Sequence, residues 1–166
     1  MHFDFCLDIN LKGYRMLIRD ITYTDYSDEP KEITETFHFN ISKVEIIDME
    51  VQYKEGLSAF LDGIIKAEDR KEIFNKFKDI VLIAYGERSE DRKQFNKSPE
   101  IRDRFANSAA YQQLCFELMS SERSLAEFLL GALPKDIVNS EEGKKLLTPV
   151  VAAVPPLEES PTPPNN

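Results

Sequence analysis

The chain has 166 residues, enough for one domain with appendages, and its 42% hydrophobic content can supply a core. A net charge of −9 and a pI near 4.8 argue against nucleic acid as a partner, because no basic stripe is available to neutralise phosphates. The same acidity disfavours docking on an anionic membrane, and no apolar run approaches the roughly 20 residues of a membrane span.

The first residues, MHFDFCLDIN, lack the basic start and long apolar stretch of a signal peptide, so the chain reads as soluble and intracellular. Residues 1–15 admit two readings. FDFCLDINL alternates like an edge strand. Alternatively, Lys12-Gly13 coded as AAA-GGA would be a ribosome-binding sequence ahead of a start at Met16, leaving the first fifteen residues as translated leader. Cys6 and Cys115 lie far apart in unlike contexts, so a buried thiol at Cys115 is the default rather than a disulfide.

Residues 16–40 read as a β-hairpin. Leu17 to Tyr26 alternates and is rich in Thr and Tyr, and Ser27-Asp28-Glu29-Pro30 is a turn. In the returning strand Ile33, Glu35, Phe37 and Phe39 share one side and Thr34, Thr36 and His38 the other. An isolated hairpin is marginal in water, so this one should pack on helices or on another subunit.

Residues 41–147 read as a bundle of about six short helices. Asn40 or Ser42 can cap the first, and Ser42 with Glu45 matches a capping box. Its apolar residues are Val44, Ile47 and Val51 on one stripe, with Ile46 and Met49 beside it. A second helix spans Gly56 to Ala67, with Leu57, Phe60, Leu61, Ile64 and Ile65. The central helix carries Ile73, Phe74, Phe77, Ile80, Val81 and Ala84 at three- and four-residue steps and stops at Tyr85-Gly86. A polar loop with Phe95 at its middle leads to Ser98-Pro99-Glu100-Ile101, a cap, first-turn proline and acidic N-terminus in sequence. Asn107 or Ser108, and then Ser120 or Ser121, can cap two more helices, with stripes Tyr111, Leu114, Cys115, Leu118 and Leu125, Phe128, Leu129, Ala132. Pro134 ends the series, and no strand is expected to interrupt it.

Residues 148–166 are different, holding six of the nine prolines. Ordering them costs more backbone entropy than burying Val150, Val151, Val154 and Leu157 returns, so the expectation is a disordered, partly polyproline-like tail that acts as a linker or a docking peptide.

No catalytic constellation emerges. His2 and His38 are the only histidines, and the sequence has no HExxH, CxxC, phosphate loop, GxSxG or EF-hand pattern. The expected protein is non-enzymatic, with no metal and no cofactor.

Set in order, ITYTDY at residues 21–26, FHFNISKVEI at 37–46, YGERSEDRKQF at 85–95, KSPEIRDRF at 97–105, AYQQLCFEL at 110–118 and AEFLLGALP at 126–134 resemble a family of phage tail assembly chaperones from siphophages and prophages. The resemblance runs from Met16 to about Pro134. Two departures stand out: the family's Asp-Gly turn is Asp91-Arg92 here, and its Asn-Gly-type hairpin turn is Ser-Asp-Glu-Pro.

The resemblance implies a helper in the host bacterial cytoplasm, absent from the mature virion. Such a helper coats the long helical tape measure protein and keeps it soluble until tail tube protein polymerises around it. A homo-oligomer and a longer frameshifted form are part of that expectation, and Gly143-Lys144-Lys145 is compatible with a slippery GGA-AAA-AAA run. The residues assigned to the partner-binding groove are Tyr85, Phe95, Phe105, Tyr111, Phe116 and Phe128, although core packing is the default for any aromatic at helical spacing. A virion tail completion or connector protein, and a small regulatory protein binding a host factor, are the alternatives.

Overall fold

The computed structural model describes residues 16–52, 70–141 and 144–145. The leader or edge strand at 1–15, the helix at 56–67 and the proline-rich tail lie outside the described residues. The fold is α+β and mainly helical, as expected, with a four-stranded antiparallel sheet in the order β1-β2-β3-β4.

The hairpin forms from β1 (Leu17–Thr24) and β2 (Glu32–Phe39). Their register pairs Leu17 with Phe39 and Tyr23 with Ile33, so odd-numbered residues share one face. That face carries the buried Ile21 and Phe39, while Ile18, Asp20, Thr22 and Thr24 point to solvent on the other. The proline-containing turn is held by Asp25, whose carboxylate accepts from Ser27 Oγ at 2.8 Å and Lys31 N at 2.9 Å. Those bonds, led by the Lys31 N–H, hold the carboxyl below its usual range.

The helices are α1 (Lys43–Gln52), α2 (Arg70–Ala84), α3 (Pro99–Ala106), α4 (Ala109–Met119), α5 (Glu122–Ala132) and the short α6 (Lys135–Asn139). The expected caps are present. Ser98 accepts from Ile101 N at 3.3 Å, Ser108 from Tyr111 N at 3.1 Å and Ser121 from Ser124 N at 3.4 Å. The capping box closes in both directions, with Ser42 N donating to Glu45 Oε2 at 2.8 Å and Glu45 N to Ser42 Oγ at 3.2 Å.

The hairpin packs on α4 and α5. Arg19 faces Glu117 at 3.6 Å, and Leu17 lies so close to Gly131 that a Cβ there would meet its Cδ1 at 2.8 Å. Ile41 N donates to Ala132 O at 2.8 Å, tying the exit of β2 to the end of α5. The core between these layers includes Phe39, Phe77, Ile80, Leu114, Leu118, Phe128 and Leu129, all fully buried.

Two expectations change. The stretch after α2 is a pair of strands, β3 (Tyr85–Arg88) and β4 (Phe95–Asn96), joined by a tight loop. Both are too short to show alternation, and their pairing is set by tertiary contact: Asn40 N donates to Ala84 O at 2.8 Å and β3 continues antiparallel to β2. Gly86 therefore does more than end a helix. A Cβ on it would lie 2.7 Å from Phe95 Cε1 and 2.9 Å from Lys97 Cγ, so both side chains cross the sheet only because this position has none.

The second change is in α1. Ile46 and Met49 are its buried residues, whereas Val44, Ile47 and Val51 are 67%, 58% and 81% exposed.

Lys97 joins three segments. Its Nζ donates to Ile83 O at 2.9 Å, to Glu45 Oε1 and Oε2 at 2.8 and 2.7 Å, and to Asn40 O. Burial pulls its ammonium below the ordinary lysine range, and Glu45 opposes that shift. Replacing Lys97 by Met takes the nearer cation from Glu45 and a donor from two carbonyls, so urea unfolding is expected to lose about 2–4 kcal/mol. Glu45→Gln should then cost much less in that background than it does alone in the wild type, and additive losses would contradict the coupling.

Arg92 has φ of 59°, in the left-handed region, at the position where the resembled family carries glycine. Arg92→Gly should raise stability by about 0.5–1 kcal/mol, the left-handed penalty less the greater chain entropy of glycine. An unchanged or lower urea midpoint would show the loop unstrained.

Candidate partner-binding site

The core supplies one wall of the site. Tyr85 and Phe105 stack at 3.8 Å with rings 16° apart, Phe37 sits 5.5 Å from Phe105, and Tyr111 meets Phe105 edge-on at 5.4 Å. Phe39 contacts Phe128 at 5.1 Å. Of the six aromatics assigned to a groove, Tyr85, Phe105, Tyr111 and Phe128 are thus buried in this cluster. Phe95 is half-buried across Gly86, with Lys97 Nζ 5.5 Å from its ring centre. Phe116, on the outer side of α4, is 73% exposed. Helical periodicity marked most of these residues for the interior, and packing distributed the rest.

Two of the four buried ones, Tyr85 and Phe105, still edge an opening. A cleft of about 640 Å³ lies where β3 diverges from β2, with Phe37, Tyr85 and Phe105 on its floor. The strand geometry explains it. The bond from Asn40 N to Ala84 O fixes the even-numbered backbone groups of β2 toward β3. The β2–β3 ladder covers only His38 with Gly86 and Phe39 with Tyr85, so the N–H and C=O of Thr36 point past its end into the cleft.

The polar lining is mixed. Arg88, Arg92 and Arg104 stand with Glu35, Glu87 and Glu90. Glu87 is engaged by Arg104 at 2.6 Å, and Glu35 accepts from Tyr23 Oη. His38 Nε2 is buried without a hydrogen-bond partner, and burial first, then Arg88, lowers the imidazole's pKa. Burial, followed by Glu87, pushes the Tyr85 phenol up to about 12, while the hydrogen bond to Glu35 takes Tyr23 to about 12. Both phenols stay protonated at neutral pH and serve as hydrogen-bond donors. Among the described residues no group of His, Cys, Asp and Glu could hold a metal ion, and no helix is long and apolar enough to cross a membrane.

The second surface was not singled out in the sequence. Val44, Ile47 and Val51 follow one another at three- and four-residue steps along the solvent side of α1, with Asp48 exposed beside them. A signal for it existed. Helix α1 carries apolar residues around too wide an arc for one packed face, so one of its two stripes had to face water.

No curated protein and no solved structure matches the chain. A family model described as phage tail assembly chaperone matches residues 16–164, which includes both the α1 stripe and the cleft. The chain belongs to the phage tail assembly chaperone family.

Proposed function

We propose that this chaperone binds the tape measure protein and keeps it soluble during tail tube assembly, without catalysing a reaction. The observation that carries the reading is the row of Val44, Ile47 and Val51 left in solvent on α1 of a tail assembly chaperone. An isolated exposed valine needs no explanation, but three at helical spacing form a strip on which a second amphipathic helix can lie. Asp48 on the rim favours a partner helix with basic residues beside its apolar face. Phe116, exposed on α4, belongs to the same proposal as a further apolar contact.

Magnitude decides how such a strip works. Burying two valines and an isoleucine yields about 3–5 kcal/mol before any cost of association, no better than millimolar for one copy. Many copies along one elongated client convert weak contacts into useful avidity. A homo-oligomer, a longer frameshifted form that also meets tail tube protein, action in the host cytoplasm and absence from the finished virion extend the same reading.

Co-expression with the tape measure protein tests it. Wild-type chain is expected to keep the client in the soluble fraction, whereas Val44→Asp with Ile47→Asp sends most of it to the pellet while leaving the melting temperature within a few degrees, since both positions are exposed. A client equally soluble alone would end the proposal. Stoichiometric persistence of the chain in purified virions, read by mass spectrometry, would favour a structural tail component instead.

A further inference from the structure

The cleft beside β2 has a chemistry that the α1 strip lacks. Its floor is aromatic, its wall is the part of β2 at Thr36 beyond the end of the β2–β3 ladder, and Arg88 and Arg92 line it without a carboxylate contact among the described residues. In a chain of net charge −9, a lining with three arginines against three glutamates is comparatively poor in negative charge. Aromatic-lined grooves of this kind take proline-rich extended peptides, because such peptides lose little entropy on docking and present flat rings and backbone carbonyls.

One segment of this chain has that composition. Residues 155–159 read Pro-Pro-Leu-Glu-Glu: two prolines, an apolar side chain and two carboxylates in succession. We propose that this segment docks in the cleft of its own molecule. Leu157 enters the space over Phe37, Tyr85 and Phe105, and Glu158 and Glu159 meet Arg88 and Arg92.

Reach and energetics both permit it. Leu157 lies twelve steps along the chain from Lys145, and at about 3.1 Å each these span about 37 Å. A tether of that length covers about a third of the circumference of a domain with a radius of gyration of about 14 Å. The ion pair of Lys43 with Asp136, nine residues before Lys145, places α6 beside the exit of β2, whose residues Thr36 to His38 line the cleft. Tethering supplies an effective concentration of about 1 mM, so even a cleft with a Kd of about 0.1 mM for the free peptide would be roughly 90% filled. The family model runs on through residue 164 and so covers this segment. The proposal does not depend on the tape measure reading, although any partner using the cleft would have to displace the tail.

The chain has no tryptophan, so Leu157→Trp in the full chain gives a single fluorescent reporter. Its emission is expected to be blue-shifted, with an acrylamide quenching constant about threefold below that of the free peptide. Arg88→Glu with Arg92→Glu should return both signals to solvent values, and adding Glu158→Arg with Glu159→Arg should restore protection. In the chain without the reporter, amide exchange at Thr36 to His38 should speed up in the Glu158→Arg, Glu159→Arg variant, whose changes lie outside the folded core. Solvent-like emission in the parent, or protection indifferent to the charge reversals, overturns the proposal. Protection that grows with protein concentration assigns the tail to another copy and overturns the intramolecular form.

Discussion

The Lys97 ammonium is the contact on which the arrangement of this fold turns. It lies between β4 and α3, and it reaches back to the exit of β2 through Asn40 O, the end of α2 through Ile83 O and the start of α1 through Glu45. Without it the Asn40 and Ile83 carbonyls would lose this donor and the Glu45 carboxylate its nearer cation, and partly buried polar groups are costly to leave in that state. Glu45 completes the arrangement from the other side, because the same carboxylate caps its own helix at Ser42. The direction of α1, and with it the side of α1 that meets water, follows from this junction. Gly86 is the steric condition for it, since any Cβ would obstruct both Lys97 and Phe95.

A second constraint shapes the cleft. Strand β2 has eight residues, while the ladder it shares with β3 covers two positions. Backbone groups that the ladder leaves unpaired must face water or a ligand. Beside them the aromatic cluster comes to the surface at the edges of Tyr85 and Phe105, so one opening combines main-chain hydrogen bonding with an apolar floor. The α1 strip is built differently, from side chains on a finished helix, and suits a helical partner rather than an extended one.

Much of this was legible before the structure. The hairpin, the capping box at Ser42 and Glu45, the Ser98-Pro99 start and the stripes of α4 and α5 all follow from local rules, because caps and periodicity act within four residues of themselves. The glycine-to-arginine departure at Arg92 was visible as a turn lacking its usual residue, and the backbone there is left-handed. Strands β3 and β4 were not legible. Four residues and two residues carry no usable alternation, and glycine argues against a strand until the neighbours that need its missing side chain are known.

The sequence by itself determined the elements that depend on nearest neighbours, the acidic surface, the tail's composition and the family. Tertiary structure alone decided which of two apolar stripes on α1 is buried, which aromatics reach the surface and where the sheet leaves a strand edge open. The physical reason is range. Propensity, capping and amphipathic spacing are properties of a few consecutive residues, whereas the exposure of Val44, Ile47 and Val51 depends on contacts such as Lys97 with Glu45, made across more than fifty positions of the chain.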